Sequence, residues 1–315
     1  MNSTIMADRG DNNFMRYVYR GEEGEIIPRE ATHITVAKDV TVILEHAFID
    51  NQKIVEIICH HKVEKIGERA FSFCRSLRRV VIPGVKIVEK RAFENCHVLT
   101  DVECGMLEII KKFAFSGCII SLRSMNLPSA RILEEYAFEC TTLTNVKFGS
   151  KLERIEGSAF SCCDSLERIT IPLKDGLITE DMFLGCRNLK HVDLVEGEVH
   201  ATIAALQLDV WRNDMNEEID SINQILPNVP GGWNEEDYGR EARAIRRWIR
   251  SVLRKINHYK AEHERLLDEA APTLQVVLPP DILTNNVLPF LELPSYTFEA
   301  VQDHEIEQEN NSDDE

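Results

Sequence analysis

From Ala47 to Phe183 one dipeptide returns at a nearly fixed interval: Ala47-Phe48, Ala70-Phe71, Ala92-Phe93, Ala114-Phe115, Ala137-Phe138, Ala159-Phe160 and the variant Met182-Phe183. The phenylalanines lie 23, 22, 22, 23, 22 and 23 residues apart. A period this short argues against one closed globular core. Each unit is too small to bury its apolar face alone and must stack on its neighbours. The chain therefore predicts a solenoid. A solenoid offers a long surface suited to binding, and seldom the closed pocket that chemistry needs.

Within a unit, a cysteine usually follows the phenylalanine by three residues: Cys74, Cys96, Cys118, Cys163 and Cys186. A leucine follows in turn: Leu77, Leu99, Leu122, Leu143, Leu166 and Leu189, with Ile54 in the first copy. Then comes a short alternating run, such as Val80-Val81-Ile82, Val102-Glu103-Cys104 or Ile169-Thr170-Ile171. Apolar outer positions around a variable middle one give the period of two expected of a strand with one buried face. Ile34-Thr35-Val36 reads as the strand of an incomplete first coil. Pro83, Pro128 and Pro172 close three of the strands, since proline cannot extend a ladder. A second apolar stretch, such as Val63-Glu64-Lys65-Ile66-Gly67, leads into the next Ala-Phe, which reads as a brief helical turn. One copy departs: Cys140 follows Phe138 by two residues, and the leucine step there shortens to 21, which predicts an altered turn.

The pattern Ala-Phe-x-x-Cys-x-x-Leu-x-x-(Val/Ile)-x-Ile-Pro resembles the BspA-like class of leucine-rich repeats. The resemblance implies an α/β-type repeat solenoid. It would be a leucine-rich repeat arc with a one-sided parallel sheet and connecting segments on its other face.

The flanks suggest caps. Phe14 to Pro28 reads as a β-hairpin turning at Gly21–Gly24, placed to cover the open end of the array. After Glu198 the period changes. Leu208, Trp211, Met215, Ile219, Ile222 and Leu226 recur at steps of three and four, predicting an amphipathic helix that Pro227-Asn228-Val229-Pro230 breaks. Asn234 reads as an N-cap, with Trp233 and Tyr238 placed as a hydrophobic staple. A heptad seam follows through Tyr238, Ala242, Ile245, Ile249, Val252, Ile256, Tyr259, His263, Leu266 and Ala270. It requires a partner helix: the preceding helix folded back as a hairpin, or a second copy of the chain. The expected organisation is a capping segment at 1–33, the array at 34–197, a helical hairpin at 198–275, and a C-terminal segment with an acidic tail at 276–315. The stretches 214–226, 258–263 and 286–295 are similar to those of a large set of BspA-like proteins in diatom algae, a resemblance that implies an architecture and no activity.

Composition narrows the functional classes. Net charge is −17, from 36 basic and 53 acidic residues, which argues against nonspecific nucleic-acid binding. No apolar run approaches the ~20 residues of a membrane helix. Residues 1–13 are polar with no apolar stretch of a secretory signal, so an intracellular, most simply cytoplasmic, location is expected. After Val301 come seven acidic residues and no Lys or Arg, a tail expected to be disordered and solubilising. All nine cysteines fall between Cys59 and Cys186 and are expected to be reduced, apolar fillers beside the phenylalanines. Cys59-His60-His61, or the cysteines with His97, could in principle bind a metal. Burial would raise the thiol pKa values and make them poor ligands, so neither metal nor cofactor is expected.

No phosphate loop, His-Glu-x-x-His or Gly-x-Ser-x-Gly is present in the sequence. The reading is a non-catalytic scaffold for a protein partner. The expected binding surface is the outward face of the strands: Glu56, Ile58, Arg79, Val81, Asp101, Glu103, Ser124, Asn126, Asn145, Lys147, Arg168, Thr170, His191 and Asp193. Its mixed charges and amides suit an irregular protein partner. The alternative makes the basic heptad helix, with Arg240, Arg243, Arg246, Arg247, Arg250, Arg254, Lys255 and Lys260, the working part and the repeats a spacer. The helix would then serve oligomerisation or an adaptor role, joining two chains or a receptor for basic helices, and the chain is expected to be a monomer or a helix-mediated homodimer.

Overall fold

The computed structural model describes residues 14–118, 122–195, 197–206, 208–229 and 239–277. In chain order the strands are β1 (Arg16–Tyr19), β2 (His33–Val36), β3 (Val42–Ile43), β4 (Glu56–Ile58), β5 (Lys65–Ile66), β6 (Arg79–Val81), β7 (Ile87–Val88) and β8 (Asp101–Glu103). They continue with β9 (Ile109–Ile110), β10 (Ser124–Leu127), β11 (Ile132–Leu133), β12 (Asn145–Phe148), β13 (Arg154–Ile155), β14 (Arg168–Ile171) and β15 (His191–Leu194). The helices are α1 (Glu198–Ala205), α2 (Asp209–Ile225) and α3 (Arg240–Val277).

The repeat predicted from the phenylalanine period is a parallel β-solenoid. The longer strands form the runs β1-β2-β4-β6-β8 and β10-β12-β14-β15, each paired in parallel one coil apart, as in Glu56↔Arg79↔Asp101. The two-residue strands form a second parallel sheet, β3-β5-β7-β9-β11-β13. This corrects the one-sided sheet. The stretch leading into each Ala-Phe is a strand too short for propensity to reveal. It is held by its neighbours, as in Val42↔Lys65↔Ile87.

The Ala-Phe segments are not helical either. Each contains two consecutive turns with left-handed residues two before and two after the phenylalanine, such as Arg91 (φ 57°) and Asn95 (φ 58°) around Phe93. Positive φ at a bulky residue costs about 1–2 kcal/mol and stops a helix from propagating. It also turns the backbone outward to the next coil. Phe71 N–H donates to Ala92 O and Phe93 N–H to Ala114 O, each at 2.8 Å. Successive coils are thus bonded along the long strands in two runs, along the short strands from β3 to β13, and along one line of turns. The Phe138 coil keeps this geometry with Cys140 at the left-handed position (φ 51°). Its irregularity is confined to the link toward Leu143, one residue shorter than its counterparts.

Inside, the aromatic rings stack as the period requires. Phe48, Phe71, Phe93, Phe115, Phe138, Phe160 and Phe183 lie 4.9, 5.2, 5.1, 5.3, 5.6 and 6.2 Å apart in succession. Tyr19 begins the column, 5.0 Å from Phe48. Close coil contact also fixes glycines: a Cβ on Gly84 would sit 1.9 Å from His61 O.

The N-terminal hairpin does not form. Its first arm is β1, but β1 pairs with β2 in parallel, as one more coil. The second arm, Glu25–Pro28, is not a strand. The Glu25 carboxylate instead accepts hydrogen bonds from Tyr17 Oη (2.7 Å) and from the backbone N–H of Arg20 and Glu22. A side-chain acceptor thus satisfies the turn donors that a returning strand would have paired.

The described chain divides into two compact units. One holds the array through Pro172, Leu177–Val195 and Ile225–Ala244; the other holds Leu173–Gly176, the helices up to Gln224, and α3 from Ile245. In the first, Arg243 Nη1 donates to Glu180 Oε1 at 2.8 Å. In the second, α2 and α3 pack as the predicted helix pair, with Trp211 and Tyr259 stacked at 5.2 Å. Trp248 Nε1 donates to Glu218 O at 3.0 Å. α1 was not anticipated, because Val199, Thr202 and Ile203 are too short a run to show a period. α2 ends where Pro227 enters a 3₁₀ turn, Leu226–Asn228. Asn234, Trp233 and Tyr238, and the acidic tail, lie outside the described residues.

Candidate interaction surface

Register places the outward residues of the long strands in two rows. One runs Arg16-His33-Glu56-Arg79-Asp101; the other runs Val18-Thr35-Ile58-Val81-Glu103. They continue past the 119–121 segment as Ser124-Asn145-Arg168-His191 and Asn126-Lys147-Thr170-Asp193. The apolar residues between these positions are buried, except half-buried Tyr17 and Val102, so strand alternation presents the rows outward. Sequence reading missed Arg16, Val18, His33 and Thr35. The expected hairpin removed β1 from the sheet, and β2 was read only as the start of the array.

Thr170 corrects the expected surface. It is only 8% exposed, although it shares its row with exposed Lys147. A short hydroxyl side chain between Lys147 and Asp193 on the ladder presents little of itself to solvent. Glu56, Arg79, Val81, His191 and Asp193 are half-buried; Ile58, Asp101, Glu103, Ser124, Asn126, Asn145, Lys147 and Arg168 are exposed.

The strongest electrostatic feature centres on Arg79. Its guanidinium donates to Glu56 Oε1 (2.9 Å), Asp101 Oδ2 (3.1 Å) and Glu103 Oε1 (2.6 Å), joining three coils. Hydrogen bonds donated to Glu56, Glu103 and Asp101 raise its pKa further above the arginine range, so it stays cationic. Three carboxylates on one cation leave a local negative excess. In the neighbouring row, Ile58 (38% exposed) stands beside half-buried Val81, and Val18 (48% exposed) lies beyond Thr35. Farther along, Arg168 Nη1 donates to Asp193 Oδ2 at 2.7 Å.

Behind the face, five cysteines form a column of their own. Each thiol donates to the phenylalanine carbonyl of the preceding coil: Cys74 to Phe48 O (3.0 Å), Cys96 to Phe71 O (3.1 Å), Cys118 to Phe93 O (3.5 Å), Cys163 to Phe138 O (3.0 Å) and Cys186 to Phe160 O (3.0 Å). The cysteines are therefore polar links as well as apolar fillers. In the irregular coil Thr141 takes the cysteine position, its Oγ1 3.2 Å from Cys163 Sγ. Burial pushes Cys59, Cys74, Cys104 and Cys118 up to about 12.

A family model described as the BspA type leucine rich repeat region matches this chain in six copies, over residues 29–138 and 86–202. The chain belongs to that family. Solved structures similar to this BspA-type array include the pneumococcal vaccine antigen PcpA, with 20% identity and a TM-score of 0.39 over 56% of this chain and 54% of that one. The chain thus spans about half the length of PcpA. A leucine rich repeat protein of T. pallidum matches with 20% identity and a TM-score of 0.40, over 58% of this chain and 75% of that one. A leucine-rich repeat protein from Bacteroides ovatus matches with 22% identity and a TM-score of 0.24, over 53% and 61%. No curated protein sequence matches the chain.

Two open hollows lie at the N-terminal end of the BspA-type array. One of about 680 Å³ is lined by Glu25, Ile27, Arg29 and residues 46–53. Among the described residues no cluster of three or more His, Cys, Asp or Glu is arranged to hold a metal. Cys59 points inward, while the His60 ring bonds to Ala37 O at 2.8 Å. No helix of the described residues is long and apolar enough to cross a membrane.

The heptad residues divide along α3. Ala242, Ile245, Ile249, Val252 and Ile256 are buried, as is His263; Tyr259 is half-buried and Leu266 is 38% exposed. Tyr238 lies outside the described residues. Trp248 and Leu253 are buried as well, so the apolar face is wider than the heptad seam. Several of the helix's cations already hold carboxylates: Arg243 holds Glu180, Arg250 holds Asp175 at 3.2 Å, and Lys255 holds Asp214 (3.0 Å) and Glu218 (3.1 Å).

Proposed function

We propose that the chain is a non-catalytic protein-interaction scaffold that binds a protein partner on the outward face of its long strands. BspA-type leucine-rich repeats are generally interaction or adhesion modules, and the Arg79 cluster gives this reading its specific support. Side chains far apart in sequence converge there beside the apolar pair Ile58 and Val81. Complementary charge sets register while desolvated apolar contact supplies affinity. The ion pairs contribute little to folding, since they are solvent-exposed and screened. They are therefore free to exchange partners at an interface without unfolding the coils.

The test is affinity capture with the full chain and with a variant carrying Arg79→Glu, Asp101→Lys and Arg168→Glu, compared by quantitative mass spectrometry. Loss of the same partner from the variant is expected, with circular dichroism unchanged. An identical captured set would overturn the assignment of the face.

The dimer reading has one observation in its favour, the exposed Leu266 near the C-terminal end of the seam. Most of the seam is already covered within one chain, which favours a monomer, and sedimentation of the full chain decides between them. Nucleic acid and membrane remain outside this reading, given the net charge of −17. An intracellular, reducing location fits nine free cysteines, five of which need their thiol hydrogen for the bonds described. Microscopy of a fluorescent fusion tests it: a signal outside the cell would sink it.

A further inference from the structure

Seven of the nine cysteines are buried; Cys140 and Cys162 are partly exposed. Both stand two residues after a phenylalanine, in the left-handed position held elsewhere by Asp50, Phe73 and Asn95. Their φ values are 51° and 60°, so their Cα–Cβ bonds leave the backbone in the same direction. They also occupy adjacent coils. Cys140 N–H donates to Ser161 O at 2.9 Å, beside Cys162, whose own N–H continues the track to Leu184 O at 2.7 Å. Cys162 Sγ lies 3.6 Å from the hydroxyl of Ser161, the residue whose carbonyl receives the Cys140 N–H. That spacing of neighbouring backbones is the one a disulfide spans.

We propose that Cys140 and Cys162 form a redox-modifiable dithiol that a hydroperoxide converts to an inter-coil disulfide, leaving the interior thiol column reduced. The roles within the pair follow from its surroundings. Burial, then the neighbouring Cys162 and the charge of Glu139, push Cys140 up to about 12, so it remains a thiol. With Cys140 held as the thiol, Cys162 is the sulfur that attacks. Its thiolate displaces hydroxide from the peroxide O–O bond, giving a sulfenic acid and, with a proton, water. The Cys140 sulfur then attacks the sulfenic sulfur. The S–S bond forms, the S–O bond breaks, and the Cys140 proton leaves with the hydroxyl as a second water. Two thiols are oxidised and one peroxide is reduced.

The interior thiols lack this combination. Cys163 and Cys186 also stand one coil apart, but both are buried and donate to Phe138 O and Phe160 O. Oxidant must first open the array to reach them. The new bond would tie two coils through their turn track, outside the sheet, and does not depend on the partner reading.

The experiment uses the full chain, reduced and then exposed to a small excess of hydrogen peroxide. Free thiols are alkylated under denaturing conditions and the tryptic peptides mapped. The expected product has lost two hydrogens and links peptide 132–147 to peptide 155–168. Because 155–168 also carries Cys163, two variants assign the sulfur. Cys163→Ser should keep the cross-link and Cys162→Ser should abolish it. In Cys140→Ser, Cys162 should proceed to sulfinic acid for want of a resolving thiol. Circular dichroism should report folded arrays in all three. A link that survives Cys162→Ser, a first link between 155–168 and 175–187, sulfinic acid on Cys162 in the unaltered chain, or both thiols still alkylatable would each overturn the proposal.

Discussion

Phe115 in the array and Ile249 in α3 are both buried, 0% and 1% exposed, yet their surroundings differ in kind. Phe115 lies between two copies of itself, Phe93 at 5.1 Å and Phe138 at 5.3 Å. Its neighbours above and below are bonded by the same backbone pattern. Ile249 belongs to a helix pair held by contacts that occur once each: Trp248 to Glu218 O, Lys255 to Asp214 and Glu218, Trp211 on Tyr259. In the array one residue's position fixes that of its counterpart a coil away, so a local fault spreads to adjacent coils. In the helix pair specificity rests on a few individual polar contacts at the edge of an apolar seam.

Phe115→Ala tests the repetitive side most severely. It should lower stability by about 3–5 kcal/mol in urea denaturation and increase amide exchange in the Phe93 and Phe138 coils. A loss below about 1 kcal/mol would break the stacked-column account. Ile249→Ala should cost about 2–4 kcal/mol, with exchange unchanged in the coils. Disturbed exchange there would mean that the two regions are not as distinct as their contacts suggest.

Alkali should act on the array selectively. Cys59, Cys74, Cys104 and Cys118 have folded pKa values raised from 9.0 to about 12. Below pH 9 these thiols are protonated in both states and their contribution is intact. From pH 9 to 12 the unfolded chain alone releases their protons, so stability falls by about 1.4 kcal/mol per pH unit for each thiol. Cys118→Ala should show a shallower decline by that amount across this window; an unchanged slope would contradict a buried neutral thiol.

Smaller effects sharpen the helical side. Tyr259 Oη donates to Asp214 Oδ2 at 2.5 Å at a partly solvated edge, so Tyr259→Phe should cost about 1 kcal/mol by thermal denaturation. Leu266→Ala should change stability by less than about 0.5 kcal/mol. A larger loss that grows with protein concentration would reveal a second chain covering the seam.

The same contrast explains what could be read in advance. The phenylalanine, leucine and strand columns were legible because seven copies repeat the same residue at the same spacing, and only stacking buries them all. The α2–α3 pairing was legible from heptad spacing. The second sheet was not, since strands of two residues such as Lys65–Ile66 carry no readable alternation. β1 was misread because a glycine turn between apolar runs signals a hairpin, whereas the β2 edge offered it a better ladder. Thr170 followed its strand's alternation, but burial there depends on its neighbours in adjacent coils.

By itself, then, the sequence determined the coil period, the identity of the interior columns and the family, because apolar residues at a fixed spacing leave the chain one way to hide them. Tertiary structure alone decided that the turns are left-handed rather than helical. It decided that each thiol meets a phenylalanine carbonyl one coil back, that three carboxylates gather on Arg79, and that Cys140 faces Cys162. All of these are contacts between residues more than twenty positions apart. Their geometry is fixed by how one coil's backbone bonds to the next, which no single repeat encodes.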